Sequence, residues 1–225
     1  MDLQVDSIEQ VFPLADFIAE VYGELNEVVV HDVSHAENSI VYIRNGQLSG
    51  RKVGDGPTDL ALKIIQEGRH SRTPYIANYA GKNSGGRRFR CATFFVRDRS
   101  DELIGLLCVN VDVTCFDGVI SALKMLKGEA SDIPAAEEPV SASSAHPFEE
   151  TLQGDPKQTI ARVARNVLAA FPVEPERLSR EERFEALRRM TGEGVFLMKG
   201  AVPIVAEELR ISTPTLYKYL QALKD

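Results

Sequence analysis

Apolar positions in the last third of the chain recur every three to four residues, the period of helices that bury one face. Val202, Val205, Ala206 and Leu209 predict a helix from about Ala201 to Leu209, and Leu216, Tyr219, Leu220 and Leu223 predict a second from Thr213 to Leu223. Ser212 is suited to cap the second by accepting from the Thr215 amide, with Pro214 in the first turn, where its missing N–H breaks no hydrogen bond. Upstream, Ser179-Arg-Glu-Glu182 is a capping box opening a helix to Met190, which Gly192 and Gly194 end, and Val195 to Met198 adds one more turn. Thr159 to Phe171 places Ile160, Val163, Ala164, Val167, Leu168 and Phe171 on one face. That face suits a core or a contact between two protomers, and its position beside a linker favours the contact.

The N-terminal part mixes the helical period with the two-residue period of strands. Ile8, Val11, Phe12, Ala15, Ile18, Val21 or Tyr22, and Leu25 predict one face of a long helix. Strands are predicted at Glu27–Asp32, Ser39–Arg44, Tyr75–Tyr79, Arg88–Arg97 and Leu103–Val113, the last two joined by a polar turn at Asp98–Glu102. Asn45-Gly46 is a hairpin signal leading to Gln47-Leu48-Ser49. Thr58–Glu67 and Phe116–Lys127 read as helices. This order predicts an α+β sensor-like domain over residues 1–127, a five-stranded antiparallel sheet with helices and a ligand-sized pocket on its covered face. Residues 128–156, rich in Pro, Ala, Ser and Glu, read as a flexible linker. Residues 157–225 form a connecting helix and a small all-α domain.

Charge is divided between these parts. Residues 1–150 carry 14 Lys/Arg against 23 Asp/Glu, and residues 151–225 carry 12 against 10. The first part would repel nucleic acid, while the second can present a local basic face. The chain has no apolar run of membrane-spanning length, and its N-terminus lacks a basic and hydrophobic signal region. Cys91, Cys108 and Cys115 are an odd number without metal-ligand spacing, which suits a reducing cytoplasm.

The C-terminal helix pair has the requirements of a helix-turn-helix. Helices crossing steeply need a small residue where they touch, which Ala206 supplies, while Ile211 plugs the corner and Leu216 with Tyr219 closes the far side. The outward set of the second helix, Thr213, Thr215, Tyr217, Lys218 and Gln221, suits base edges and phosphates, with Ser212 at its cap. Arg210 stands where such turns usually carry Gly; a left-handed conformation there strains it, and its cation can reach a phosphate. The same spacing also fits an ordinary helical hairpin that docks a protein partner.

Several stretches resemble a known family. Glu27-Val-Val-Val-His-Asp-Val, Ser39 through Gly54, Pro57-Thr-Asp-Leu, Asn78-Tyr, Thr93-Phe-Phe-Val-Arg-Asp and Leu103-Ile-Gly-Leu-Leu-Cys-Val-Asn resemble the YheO-like PAS sensor domain. Gly194-Val-Phe-Leu-Met-Lys-Gly-Ala-Val with Val205-Ala-Glu-Glu-Leu resembles the helix-turn-helix that follows it in bacterial regulators. The resemblance covers about residues 10–115 and 180–221 and leaves the linker unmatched. It implies a DNA-binding transcriptional regulator, a repressor rather than an activator, whose PAS domain senses a signal; with the composition, the chain reads as a cytoplasmic protein that binds double-stranded DNA and a small-molecule effector. Because one short helix reads few base pairs, a homodimer is expected.

The polar residues that could line the sensor pocket are His31, Asp32, Arg51, Asp59, Asn78, Thr93, Asn110 and Asp112. Arg51 is suited to grip a carboxylate, and Asp32, Asp59 or Asp112 an amino or guanidino group, which points to a zwitterion such as an amino acid. Individually each also serves as a turn-former, cap or surface ion pair. His31 and His35 lie in a strand and loop where a spacing of four does not converge on a metal. Gly81-Lys82-Asn83-Ser84-Gly85-Gly86 lacks the upstream glycine of a phosphate loop and reads as a hairpin loop. No catalytic constellation stands out, so the chain is not expected to be an enzyme and no cofactor is expected. A flavin or haem PAS sensor ranks last among the readings.

Overall fold

A computed structural model describes residues 4–35, 37–68, 73–127, 149–152 and 155–223. The sheet is built around β1 (Asn26–Asp32), which is buried along nearly its whole length because its apolar run is covered on both faces. β1 pairs antiparallel with β2 (Ile40–Arg44) on one side and β5 (Leu103–Asp112) on the other. β5 pairs with β4 (Arg88–Arg97), and β4 with β3 (Tyr75–Asn83), all antiparallel. A sixth strand, β6 (Glu149–Leu152), runs parallel to β3, so the order is β2-β1-β5-β4-β3-β6.

One face of the sheet lies under α1 (Phe12–Tyr22), which follows a 3-10 turn at Ile8–Val11. Ala15 and Ala19 are small enough to bring that helix close to Val28, Val30, Val96 and Leu107. The opposite face, with Val29, Cys91, Phe95, Leu106 and Cys108, packs under α2 (Asp59–Gly68) through Leu60, Ile64 and Ile65. Thr58 caps α2, its hydroxyl accepting from the Ala61 amide at 3.0 Å. After β5 the chain leaves the sheet as α3 (Thr114–Leu126).

The α-helical part contains α4 (Pro156–Leu168), α5 (Arg180–Gly192), α6 (Ala201–Glu208) and α7 (Thr213–Ala222). Ser179 and Glu182 make the expected reciprocal capping box at α5. Ile160, Val163, Leu187, Met190, Val205, Leu209 and Leu216 share one core. The apolar face of α4 is therefore spent inside the chain rather than on a contact between protomers.

Four further expectations are corrected. The sheet is six-stranded and mixed, not five-stranded and antiparallel, because β6 occupies the outer edge of β3. β6 and the start of α4 fall within 128–156, the stretch read as a linker; Leu152, a bulky apolar residue in polar surroundings, is wholly buried in the sheet core. Residues 128–148 and 153–154 of that stretch lie outside the described residues. Asn45-Gly46 does not turn a hairpin: Asn45 is left-handed (φ 56°) and donates to the carbonyls of Gly23 (3.1 Å) and Asn26 (2.7 Å), and Gly46–Leu48 is a 3-10 turn. On α1 and its extension, Val21, Tyr22 and Leu25 point to solvent instead of continuing the buried face.

The sensor and helical parts meet at α2. Leu62, two residues from Leu60 and Ile64 of the sheet core, is wholly buried in the helical core. Lys63 donates to Glu193 at 3.2 Å, and Asp59 lies 3.3 Å from Arg162. Gly194 is left-handed (φ 76°), and a Cβ there would stand 2.8 Å from the Leu62 carbonyl oxygen. Gly194→Ala should therefore combine backbone strain with a collision against α2. We expect a loss of roughly 2–3 kcal/mol, measured as a lower urea midpoint, whereas Gly192→Ala, with open space around it, should be nearly neutral.

Candidate functional site

Strand alternation sends Glu27, Val29 and His31 to the α2 side of β1. Glu27 is fully buried, an expensive place for a carboxylate, and a set of donors meets it there. The Arg51 guanidinium and the Ser49 hydroxyl both hydrogen-bond it, and Asn110, its cross-strand neighbour on β5, donates to Oε1 at 2.9 Å. Arg51 Nε also donates to Ser49 Oγ at 3.2 Å. Four residues on, His31 Nδ1 lies 2.8 Å from the Ser39 hydroxyl. Burial pushes the imidazole down to about 3, and the nearby Arg51 charge adds to this, so His31 is neutral at neutral pH. On the same sheet face, the Tyr79 hydroxyl is 2.8 Å from Thr93 Oγ1, which is 3.3 Å from Cys108 Sγ.

The cluster is electrically balanced, with one anion, one cation and a neutral imidazole. Two atoms within it, Asn110 Oδ1 and His31 Nε2, have no hydrogen-bond partner among the described residues. Buried polar atoms are normally satisfied, so these are where a polar guest would gain most. Among the described residues no three His, Cys, Asp or Glu converge as metal ligands.

Of the sensor candidates, His31, Arg51, Thr93 and Asn110 therefore meet on one face, and four others do not. Asp32 caps the following turn, accepting from the Ser34 amide and hydroxyl and from His35. Burial would raise its carboxyl, but the Ser34 bonds hold it below the ordinary value. Asp59 is committed to Arg162. Asn78 is exposed and left-handed (φ 63°), at the irregularity where β3 slips against β4. Asp112 accepts from the Thr114 amide and from Arg87, both at 2.9 Å, and these bonds keep its carboxyl low against burial. The role of Arg51 also changes, since its Nη2 hydrogen-bonds Glu27. Glu27 was missed because an acid in a valine run reads as an exposed alternate position. Ser39 was missed as an ordinary strand residue. The usable signal was that both faces of this strand had to be buried.

In the helical part the turn between α6 and α7 is a Schellman motif. The Ile211 amide bonds the Ala206 carbonyl and the Arg210 amide that of Glu207, both at 3.0 Å, with Arg210 left-handed at φ 53°. The Arg210 side chain lies 3.6 Å from Glu176, an exposed pair of small energetic weight. Ser212 caps α7 by accepting from the Thr215 amide at 3.3 Å, and its hydroxyl is 2.8 Å from Thr215 Oγ1. Tyr219 anchors α7 edge-on against Phe184 of α5, with ring centroids 5.0 Å apart. Tyr217, Lys218 and Gln221 remain exposed, and Thr213 and Thr215 are half-buried near the start of the helix. The surface of α7 thus offers hydroxyls, an amide, a phenol and a cation on a rigid support.

Two outcomes follow from the buried cluster. Arg51→Ala leaves the Glu27 charge without its counter-ion and should cost about 3–5 kcal/mol, read from urea unfolding. For His31 the folded pKa lies below the unfolded one, so the unfolded state takes up the proton first on acidification. Stability should then fall as pH drops from about 6.5 towards 3, with a slope approaching about 1.4 kcal/mol per pH unit. In His31→Gln the fall between pH 6 and 5 should largely vanish; an unchanged slope would assign it to other groups.

Residues 2–127 match the YheO-like PAS domain, and residues 159–221 match an HTH domain. The transcriptional regulator DauR of Pseudomonas aeruginosa is 28% identical over 222 residues, spanning 99% of this chain and 97% of its own. The uncharacterised protein YheO of Escherichia coli K12 is 26% identical over 220 residues, 97% of this chain and 85% of its own. An uncharacterised protein of Haemophilus influenzae is 26% identical over 212 residues, 94% and 88% of the two chains. With the sheet domain and the helix-turn-helix each matched in place, the chain belongs to the YheO-like PAS family and is a transcriptional regulator built from a PAS domain and an HTH domain.

Proposed function

We propose that the protein is a cytoplasmic, homodimeric repressor that reads double-stranded DNA through α7 and senses a small polar molecule inside the PAS domain. The observation that carries this reading is the position of α2. It contributes Leu60, Ile64 and Ile65 to the core around the polar cluster and Leu62 to the core that supports the HTH domain. A guest that shifts α2 changes both packings at once, and packed cores respond by switching between arrangements rather than by deforming smoothly. Repression rather than activation is supported by the family resemblance alone.

The chemistry of the cluster narrows the guest. Arg51 is paired with Glu27, so a guest bearing a net charge would bring an uncompensated charge into a buried site. A net-neutral molecule with a donor for Asn110 Oδ1 fits best. An amino-acid zwitterion meets that condition through its ammonium group, so His31, Thr93 and Asn110 are the proposed contacts, with Arg51 acting through Glu27. On the DNA side, Thr213, Thr215, Tyr217, Lys218 and Gln221 are the proposed contacts, with Ser212 and Arg210 at the edge of the reading surface.

Binding of the full chain to its own promoter fragment, titrated with salt, tests the DNA role. Affinity should fall steeply with salt, and the Thr215→Ala, Lys218→Ala double variant should bind about tenfold or more weakly. Affinity no better than for random DNA would instead make the helix pair a protein-docking module. For sensing, a panel of amino acids and other net-neutral polar molecules should include one that raises the melting temperature of the wild type but not of Asn110→Ala. A panel without effect on the wild type would sink the proposed ligand class.

A further inference from the structure

The surface of α7 is informative in the base-reading groups it lacks. Its sequence, Thr213-Pro-Thr-Leu-Tyr-Lys-Tyr-Leu-Gln-Ala222, contains no arginine, asparagine, aspartate or glutamate. Arginine is the commonest bidentate partner of guanine, and a carboxylate is the side chain that accepts from the cytosine amino group. The nearest arginine ahead of the helix, Arg210, sits in the left-handed turn, 3.6 Å from Glu176 and outside the helix itself. Lys218 is the one cation on α7, and as a compact point charge it is well suited to a phosphate. Direct readout of G·C pairs is therefore poorly provided for.

What the helix does present suits the other pair. Leu216 is wholly buried, and Tyr219 and Leu220 pack against the helical core. The opposite side carries Pro214, Tyr217, Lys218 and Gln221, all exposed and at the i, i+3, i+4, i+7 spacing of one helical face. The Pro214 ring and the Tyr217 ring, the latter 58% exposed, are apolar surfaces able to meet the C5-methyl group of thymine. Gln221 has the amide that pairs in bidentate fashion with adenine N6 and N7. Thr215, at the margin of this face, has its hydroxyl 2.8 Å from Ser212 Oγ, which leaves its methyl group to present. The Ser212 cap and the Tyr219–Phe184 contact hold the helix at both ends, so the face is set before any duplex arrives.

We infer that α7 selects A·T base pairs, with Pro214 and Tyr217 against thymine methyl groups, Gln221 on an adenine edge and Lys218 on a phosphate. The inference rests on the DNA-reading role proposed above and names the class of sequence that role selects. Affinity selection by the full chain from a pool of random duplexes tests it. The selected duplex is then titrated with single thymines replaced by uracil, which removes the C5-methyl and keeps the base pairing. Selected duplexes should share a core of A·T pairs, and uracil at a contacted position should weaken wild-type binding by about fourfold, the worth of one buried methyl-sized group. In Tyr217→Ser, a change at an exposed side chain, one of these uracil effects should disappear. Gln221→Ala should lower discrimination at one A·T pair by at least about fivefold, whereas Lys218→Ala should weaken all sequences alike and reduce the salt slope by about one. A core of G·C pairs, with Lys218→Ala relaxing the choice of guanine, would overturn the inference and leave the DNA-reading role standing. An A·T core indifferent to uracil would also overturn it, because the preference would then come from the shape of the duplex. Enrichment of no sequence would overturn the DNA-reading role and the inference with it.

Discussion

The charge buried at Glu27 is the constraint on which the sensor domain depends. A carboxylate at the centre of the sheet is tolerable only with a cation and donors against it, and these come from two places. Asn110 arrives through strand pairing, because β5 lies beside β1. Ser49 and Arg51 arrive through the loop after β2, and that loop must fold back over the sheet to deliver them. The left-handed Asn45, bonded to the carbonyls of Gly23 and Asn26, starts this return. What looks locally like a hairpin turn is therefore the start of the loop that brings Ser49 and Arg51 to Glu27. The same pair then affects its surroundings: the Arg51 charge adds to burial in keeping His31 neutral.

The second constraint is the shared helix. α2 could not serve two cores with an ordinary amphipathic pattern. Leu62 lies between Leu60 and Ile64 in sequence but roughly 200° around the helix from either, so it points to the opposite side. That places a single rigid element between the polar cluster and the support of α7. A ligand can shift such an element only by the difference in its affinity for the two arrangements. A guest that satisfies Asn110 Oδ1 in one arrangement alone would supply that difference directly.

Legibility in the sequence followed the range of the interactions. The helix-turn-helix, the α5 capping box and the Ser212 cap could be read because each depends on residues within a few positions of one another. The strands of the sheet proper could be read from short β-branched and apolar runs bounded by polar turns. β6 could not, since a four-residue segment in a polar stretch becomes a strand only by finding the open edge of β3 and a place for Leu152 in the core. Asp59 and Asp112 carried no mark to distinguish a ligand carboxylate from one committed to Arg162 or Arg87. Glu27 failed in the opposite direction: its importance comes from a burial that only the assembled sheet creates.

The uneven charge of the chain bears on how the two halves work together. Residues 1–150 are strongly acidic, whereas the HTH part carries a slight excess of cations. An acidic sensor is repelled by phosphates, so DNA approach is tolerated only where α7 is presented away from the sensor surface. Contacts between α2 and the HTH core join the two parts, through Leu62 and the Lys63–Glu193 and Asp59–Arg162 pairs. Loosening them would change the angle at which the acidic mass meets the duplex, and the electrostatic cost of binding with it. On the proposed sensing role, the seam at α2 is where a small response to a guest would be converted into a difference in DNA affinity.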